Sequence, residues 1–304
     1  MKLPRISIVI PSYNQGRYIE QTLRSVVEQN YPALELIVMD ACSTDETKEI
    51  LERYRSQITI LEIQPDRGQS HAINKGLERM TGDVWAYLNS DDLLQPGSLA
   101  RLGELFSDPA VDWVGAVSTI FDDSGDHGQV APQAPRSIRE ILTPWHRSVQ
   151  HVFPCSNVCF MRNSVYQRIG GFDESFHYSM DMEYYTRALF HGFKLQRIPE
   201  ILGRWRWHAE SKTVRDGQAY RFLEEELRIA GIYAGRLPVP ETAALRREIQ
   251  EQEKWFTVRR ALHENPQATR GSRLRRLFRD AWERPSLFFF RPWLGAVRKM
   301  LLPT

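Results

Sequence analysis

The sequence predicts an α/β fold with a mostly parallel central sheet, followed by a C-terminal helical extension. Over the first 120 residues, apolar strand-like runs alternate with helical patterns. Those runs are too apolar to leave one face in water, which indicates a sheet covered by helices on both sides. From about residue 216 the strand signal stops and a Glu- and Arg-rich helical pattern takes over. The 304 residues suffice for one large domain or two small ones, and 42% apolar with 26% charged content is ordinary for a globular chain.

Each element has its own signal. Ile6-Ser7-Ile8-Val9-Ile10 is a β-rich run stopped by Pro11. Ile19, Leu23, Val26 and Val27 then recur at helical spacing. Leu36-Ile37-Val38-Met39 is a second strand ending at Asp40, and Ser43-Thr44-Asp45-Glu46 reads as a capping box opening the next helix. Ile58-Thr59-Ile60-Leu61 is a third strand. Ala72, Ile73, Leu77 and Met80 mark a third helix, closed by Gly82. Val84-Trp85-Ala86-Tyr87-Leu88 is a fourth strand, running into Asn89-Ser90-Asp91-Asp92. The outline is that of a nucleotide-binding half-fold, without Gly-x-Gly-x-x-Gly and without a Walker-type lysine. Residues 122–156, rich in Pro, Gly and polar side chains, read as irregular loops around a short helix. A second organised stretch spans 158–207, with the turn Gly170-Gly171-Phe172-Asp173 and a helix over 181–191. Residues 218–263 are helical in pattern.

Asp91 and Asp92 carry the first chemical signal. Open α/β sheets bind ligands at the C-terminal ends of their strands. Two carboxylates there suit a divalent cation that also grips phosphate, since Mg²⁺ takes one or two carboxylates plus phosphate oxygens. A helix-entry turn capped by Asp91 or Asp92 is the alternative.

Composition bounds the setting. Cys42, Cys155 and Cys159 make no disulfide framework and indicate a reducing compartment. The chain enters a strand without a signal-peptide core, and no apolar run reaches the roughly 18 to 20 residues that span a bilayer. A cytoplasmic protein is expected. Residues 270–304 carry nine Lys or Arg against two acids, while the rest is mildly acidic. Leu274, Leu277, Phe278, Ala281 and Trp282 form one apolar stripe in that tail, with Arg273, Arg275, Arg276 and Arg279 around it. Such a helix suits an anionic membrane interface, placing the protein peripherally on the inner face of the cell membrane. Packing of the stripe on the rest of the chain or on a second subunit is the alternative. The aromatics and leucines argue against nucleic acid as the tail's partner.

Taken together, Ile8-Val9-Ile10-Pro11-Ser12-Tyr13-Asn14, Asp40-Ala41-Cys42-Ser43-Thr44-Asp45, Leu88-Asn89-Ser90-Asp91-Asp92 and Gly171-Phe172-Asp173-Glu174 with Met180-Asp181 resemble the family 2 glycosyltransferases. The resemblance covers residues 4–215. It implies the GT-A fold, a Rossmann-like nucleotide-binding sandwich, with residues 1–120 as the donor half and 121–215 as the acceptor half. Residues 216–269 are then a helical extension and 270–304 a basic tail. It also implies inverting transfer from a nucleotide-diphospho sugar, UDP-linked, to a glycan or lipid-linked saccharide, with Mg²⁺ or Mn²⁺ as cofactor.

Residue by residue, the resemblance implies that Pro11, Ser12 and Tyr13 line the nucleobase pocket and that Asp40 accepts from the base imide N–H. Asp66, Arg67 and Asn74 fall where similar enzymes contact the donor. Asp91 is expected at the ribose or sugar, and Asp92 on the metal. Asn89 stands where the family usually has the first Asp of Asp-x-Asp-Asp. Asp181 is expected as the general base that takes the acceptor hydroxyl proton. In Arg204-Trp205-Arg206-Trp207-His208, His208 is the candidate third metal contact, and Arg206 or Lys212 offers a phosphate contact. His146 and His151 fall near the expected acceptor side. A sugar-phosphate nucleotidyltransferase or a non-catalytic nucleotide-sugar-binding protein of the same fold remains the alternative.

Overall fold

The computed structural model describes residues 3–132, 138–143, 155–212, 219–263 and 267–301. They belong to two compact units: residues 1–135 with 149–208, and residues 136–148 with 209–304. His146 and His151 lie outside the described residues.

The first unit opens with strand β1 (Ile6–Ser12), helix α1 (Ile19–Val27), β2 (Leu34–Asp40), α2 (Thr47–Arg53), β3 (Ile60–Ile63), α3 (Gln69–Arg79) and β4 (Val84–Tyr87). β1 pairs in parallel with β2 and β4, and β2 with β3. Every residue of β1 and β4 is buried, as continuous apolar runs require in a sheet covered on both faces. Ile19, Leu23 and Val26 turn α1 inward, and Ala72, Ile73 and Leu77 do the same for α3. Gly76 lets α3 approach β1 closely, because a Cβ there would collide with Val9.

Past β4 the chain forms β5 (Leu93–Leu94), α4 (Ser98–Phe106), β6 (Trp113–Asp122) and β7 (Gly125–Val130). After α5 (Ile138–Leu142), which belongs to the second unit, come β8 (Cys159–Arg162), α6 (Asn163–Ile169), α7 (Met180–Phe190) and β9 (Leu195–Arg206). Among the described residues the sheet order is β3-β2-β1-β4-β8-β6-β9-β5, with β7 on the edge of β6. β6 and β9 are parallel, whereas β8 runs antiparallel to both β4 and β6.

Two local expectations need correction. The first part of the expected irregular stretch, 122–156, is the outer strand of a hairpin, β6–β7. Residues 125–129 are exposed and polar, so no apolar alternation marked them. The capping box at Ser43 and Glu46 does not form, because α2 starts at Thr47 with Glu46 itself as the residue before it. Asp45 Oδ1 accepts from the Thr47 N–H at 3.1 Å instead, and Ser43 is drawn to Asp40.

The second unit is helical: α5, α8 (Ala219–Ala234), α9 (Val239–His263), α10 (Arg270–Glu283) and α11 (Arg291–Leu301). Leu277, Ala281, Trp293 and Val297 close a core with Val258 and Ala261 of α9. Part of the tail's apolar stripe is therefore internal, while Trp282 and Phe289 stand 83% and 88% exposed. Among the described residues no helix is long and apolar enough to cross a membrane.

Candidate active site

The site grows from the C-terminal ends of β1, β2 and β4. Parallel register sets Ser12 beside Asp40, and Ala41 N–H donates to the Ser12 carbonyl at 2.9 Å. The two loops that follow are laced together. Asn14 N–H donates to Ser43 Oγ at 2.8 Å, Thr44 N–H to Asn14 Oδ1 at 2.8 Å, Gln15 N–H to Thr47 Oγ1 at 2.8 Å and Gly16 N–H to Asp45 Oδ2 at 2.9 Å. Asn14 and Cys42 hold φ of +52° and +61°. Asparagine tolerates that left-handed region, whereas at Cys42 it stores strain of the kind found at binding sites.

Pro11, Ser12 and Asp40 are buried where the strands end, and Tyr13 is 60% exposed just beyond them. Asp40 accepts from the Ser43 N–H at 2.8 Å and the Ser43 hydroxyl at 2.6 Å. A carboxylate has about four acceptor positions, so capacity for a further donor remains. The buried Ser12 hydroxyl has no hydrogen-bond partner.

Asp91 and Asp92 diverge although they are adjacent. Asp92 is 1% exposed: Oδ1 accepts from the Arg206 N–H at 2.9 Å and Oδ2 from Asn89 Nδ2 at 3.2 Å. Burial first, and the neighbouring Asp91 charge second, push its carboxyl well above the usual range. Asp91 instead turns to His208, with 2.9 Å between its Oδ2 and His208 Nε2. His208 lies against the Tyr18 ring at 4.6 Å, and its buried Nδ1 has no partner.

Arg206 organises this corner. Its Nε donates to the Asp91 carbonyl at 2.9 Å and its Nη2 to Gln21 Oε1 at 2.7 Å. The guanidinium sits 5.0 Å from the Tyr18 ring and 4.4 Å from that of Phe121. Arg206, expected with Lys212 as a phosphate contact, is 5% exposed, and its Nε and Nη2 donate within the fold.

The loop before α3 is a second clasp. Asp66 Oδ1 accepts from the Gly68 N–H at 2.8 Å, closing its own turn, and Arg67 pairs with Glu174 at 2.8 Å. Asn74 grips the Phe172 backbone in both directions, donating to its carbonyl at 2.9 Å and accepting from its N–H at 2.7 Å. Asn74, expected at the donor, thus has its amide engaged in holding the Gly171-Phe172 turn against α3.

Asp181 lies in the first turn of α7, its Oδ1 accepting from the Met182 N–H at 2.8 Å. Ser70 of α3 donates to Met180 Sδ at 2.8 Å, which fixes the start of that helix. The buried Tyr87 hydroxyl is pushed upward by burial, then by the charge of Asp181, with Asp92 adding to it. The Cys155 thiol responds to burial, then to Asp92 and Asp181. Both carboxylates therefore bear on the same buried ground.

No group of three or more His, Cys, Asp and Glu side chains stands ready to enclose a metal among the described residues. A cation held largely by phosphate and water needs less. One carboxylate and one imidazole, Asp91 and His208, are a donor set that fits Mg²⁺ or Mn²⁺ in that mode. Sequence reasoning did not find Gln21, Asn14 or Gln69, whose Nε2 donates to Asn89 Oδ1 at 2.7 Å. Only Asn14, two residues before Gly16 in a strand-to-helix turn, carried a signal, its tolerance of left-handed backbone.

Comparison with known proteins agrees with this architecture. The model for "Glycosyl transferase family 2" matches residues 7–187. The putative teichuronic acid biosynthesis glycosyltransferase TuaG of Bacillus subtilis is 42% identical over 101 residues, covering 32% of this chain and 40% of TuaG. The chain thus spans less than half the length of that relative. Residues 1–349 of S. aureus TarS in complex with UDP-GlcNAc superimpose with a TM-score of 0.64 at 18% identity, covering 90% of this chain and 79% of that one. The Pyrobaculum calidifontis mannosyltransferase PcManGT, in complex with GDP-Man and Mn²⁺, gives 0.61 at 19% identity, covering 99% and 85%.

Proposed function

The chain belongs to glycosyl transferase family 2, and we propose that it transfers the sugar of a UDP-linked donor to a glycan or lipid-linked saccharide with inversion at the transferred carbon. The observation that carries this reading is the convergence of Ser12, Asp40 and the Asp91–His208 pair at the ends of adjacent strands.

In this reading Pro11 and Ser12 border the nucleobase, the exposed Tyr13 ring stacks on it, and Asp40 accepts its imide N–H. Ser43 holds the Asp40 carboxylate in place with two hydrogen bonds, so no reorganisation is needed on binding. Asp91 and His208 are the protein donors to a divalent metal. Asp92, 1% exposed beneath the Arg206 backbone, belongs in this reading to the scaffold rather than to the metal. When bound, Mg²⁺ or Mn²⁺ supplies Lewis-acid stabilisation of the charge that builds on the departing diphosphate. Arg206 holds the Asp91 backbone and, two residues on, orients His208 toward it. Asp181 accepts the proton of the acceptor hydroxyl as that oxygen attacks from the face opposite the diphosphate, a single displacement that inverts the centre. The acceptor lies at an anionic membrane surface, which Trp282 and Phe289 meet beside the exposed Arg279, Arg284 and Arg291.

A thermal-shift screen of nucleotides and nucleotide sugars, with and without Mn²⁺, tests the donor site. Ligand that binds only the folded chain raises the midpoint by mass action. The expected outcome is a metal-dependent shift with UDP and one UDP-sugar, lost in Asp91→Ala. No shift with any nucleotide, from folded protein, sinks the reading.

A further inference from the structure

The second unit has a cavity of its own, of about 400 Å³, walled by α8, α9 and α10. That volume is in the range of small-molecule sites. Two charged side chains of its lining each keep one buried atom without a hydrogen bond. Asp280 is 6% exposed, and its Oδ2 has no hydrogen bond, while its Oδ1 lies 3.9 Å from Arg279 Nε. Arg260 Nε is likewise buried and unpartnered, with the guanidinium 5.4 Å from the Phe256 ring. A buried acceptor lacking a donor and a buried donor lacking an acceptor both carry a desolvation penalty until something fills them.

The lining selects the ligand class. Three arginines and four carboxylic acids surround the space, so an anion meets the acids and a cation meets the arginines. A hydroxyl donates and accepts at once, and it suits Asp280 and Arg260 together. Leu227, Ile249 and Phe256 add an apolar wall to the same cavity. A pyranose offers both faces of this chemistry, hydroxyls on its edge and C–H groups on its ring face.

We propose that this cavity binds a neutral sugar unit, a residue of the saccharide on which the enzyme works. The transferase reading supplies only the source of that sugar; the cavity's preference for a polyol stands on its own lining. Water is the competing occupant.

Saturation-transfer NMR on the full chain, with D-glucose, D-galactose, D-mannose, N-acetyl-D-glucosamine and their disaccharides as probes, tests it. At least one probe binds the wild type, and Asp280→Leu or Arg260→Met weakens it by about tenfold or more, the effect of losing a hydrogen bond to a charged group. A disaccharide that outbinds its monosaccharide identifies a chain as the source, and equal binding identifies the free sugar. Amide hydrogen exchange on the wild type removes dependence on how the variants fold: the bound probe slows exchange over 249–260 and 280–284. Binding of no probe, equal binding by both variants, or absence of that protection overturns the proposal. The UDP shift, read in parallel, reports the donor site separately, so loss of one leaves the other interpretable.

Discussion

Asp91 and Asp92 are neighbours in the chain with opposite fates. Strand-end geometry turns one side chain to His208 and the other under the Arg206 backbone. Asp91→Asn and His208→Ala are expected to remove the metal-dependent donor shift while the apo midpoint stays within a degree or two. Asp92→Ala leaves the buried Arg206 N–H unpaired and is expected to destabilise the fold by about 1–3 kcal/mol, read by urea unfolding. Asp181→Asn should lower kcat by roughly 10² to 10⁴ with the UDP shift retained, the signature of a lost base rather than a lost binding group. Asp280, in the second unit, gives a separate pH test. Burial raises its carboxyl above the ordinary value, against the lowering pull of Arg276, Arg279 and Arg260. The folded state therefore keeps that proton longer than the unfolded chain, and the associated stability is full below the ordinary carboxylate pKa and drains as pH rises through the raised one. Asp280→Asn should raise the thermal midpoint at pH 7 and lose that advantage below about pH 4. The acids at the strand ends were legible as residue types in order. Their separate tasks were not, because a side chain's direction at a turn depends on which backbone donors arrive from elsewhere.

At the scale of elements, the turn before α7 is held by α3. Asn74 satisfies both polar groups of the Phe172 peptide, and Gly171 makes room for it, since a Cβ there would collide with Asn74 Oδ1. Gly171→Ala is expected to destabilise by about 1–3 kcal/mol in urea unfolding through that overlap. The helices α1 and α3 and the strands β1, β2 and β4 follow the hydrophobic periods closely, because α1 buries its stripe in a core with one face of the strands while α3 packs its own stripe beside Val9 on the other face. β7 escaped notice for the converse reason: an edge strand whose residues face water has no apolar period to detect.

At the scale of the whole molecule, the tail's stripe divides. Leu277 and Ala281 are internal to the second unit, whereas Trp282 and Phe289 face outward among arginines. Truncating the two groups should therefore separate stability from association. Leu277→Ala is expected to cost about 2–5 kcal/mol of stability. Trp282→Ser with Phe289→Ser should leave the melting temperature unchanged and abolish sedimentation with anionic liposomes; undiminished sedimentation refutes the membrane reading. The sequence by itself determined the alternation of strands and helices, the carboxylates at the strand ends and the family, because period and motif order are properties of the chain alone. Tertiary structure decided that Asp91 rather than Asp92 meets His208, that Arg206 is an internal tie, and which half of the tail's stripe stays in water. Each of those outcomes depends on partners tens to more than a hundred residues away, and no local pattern encodes such pairings.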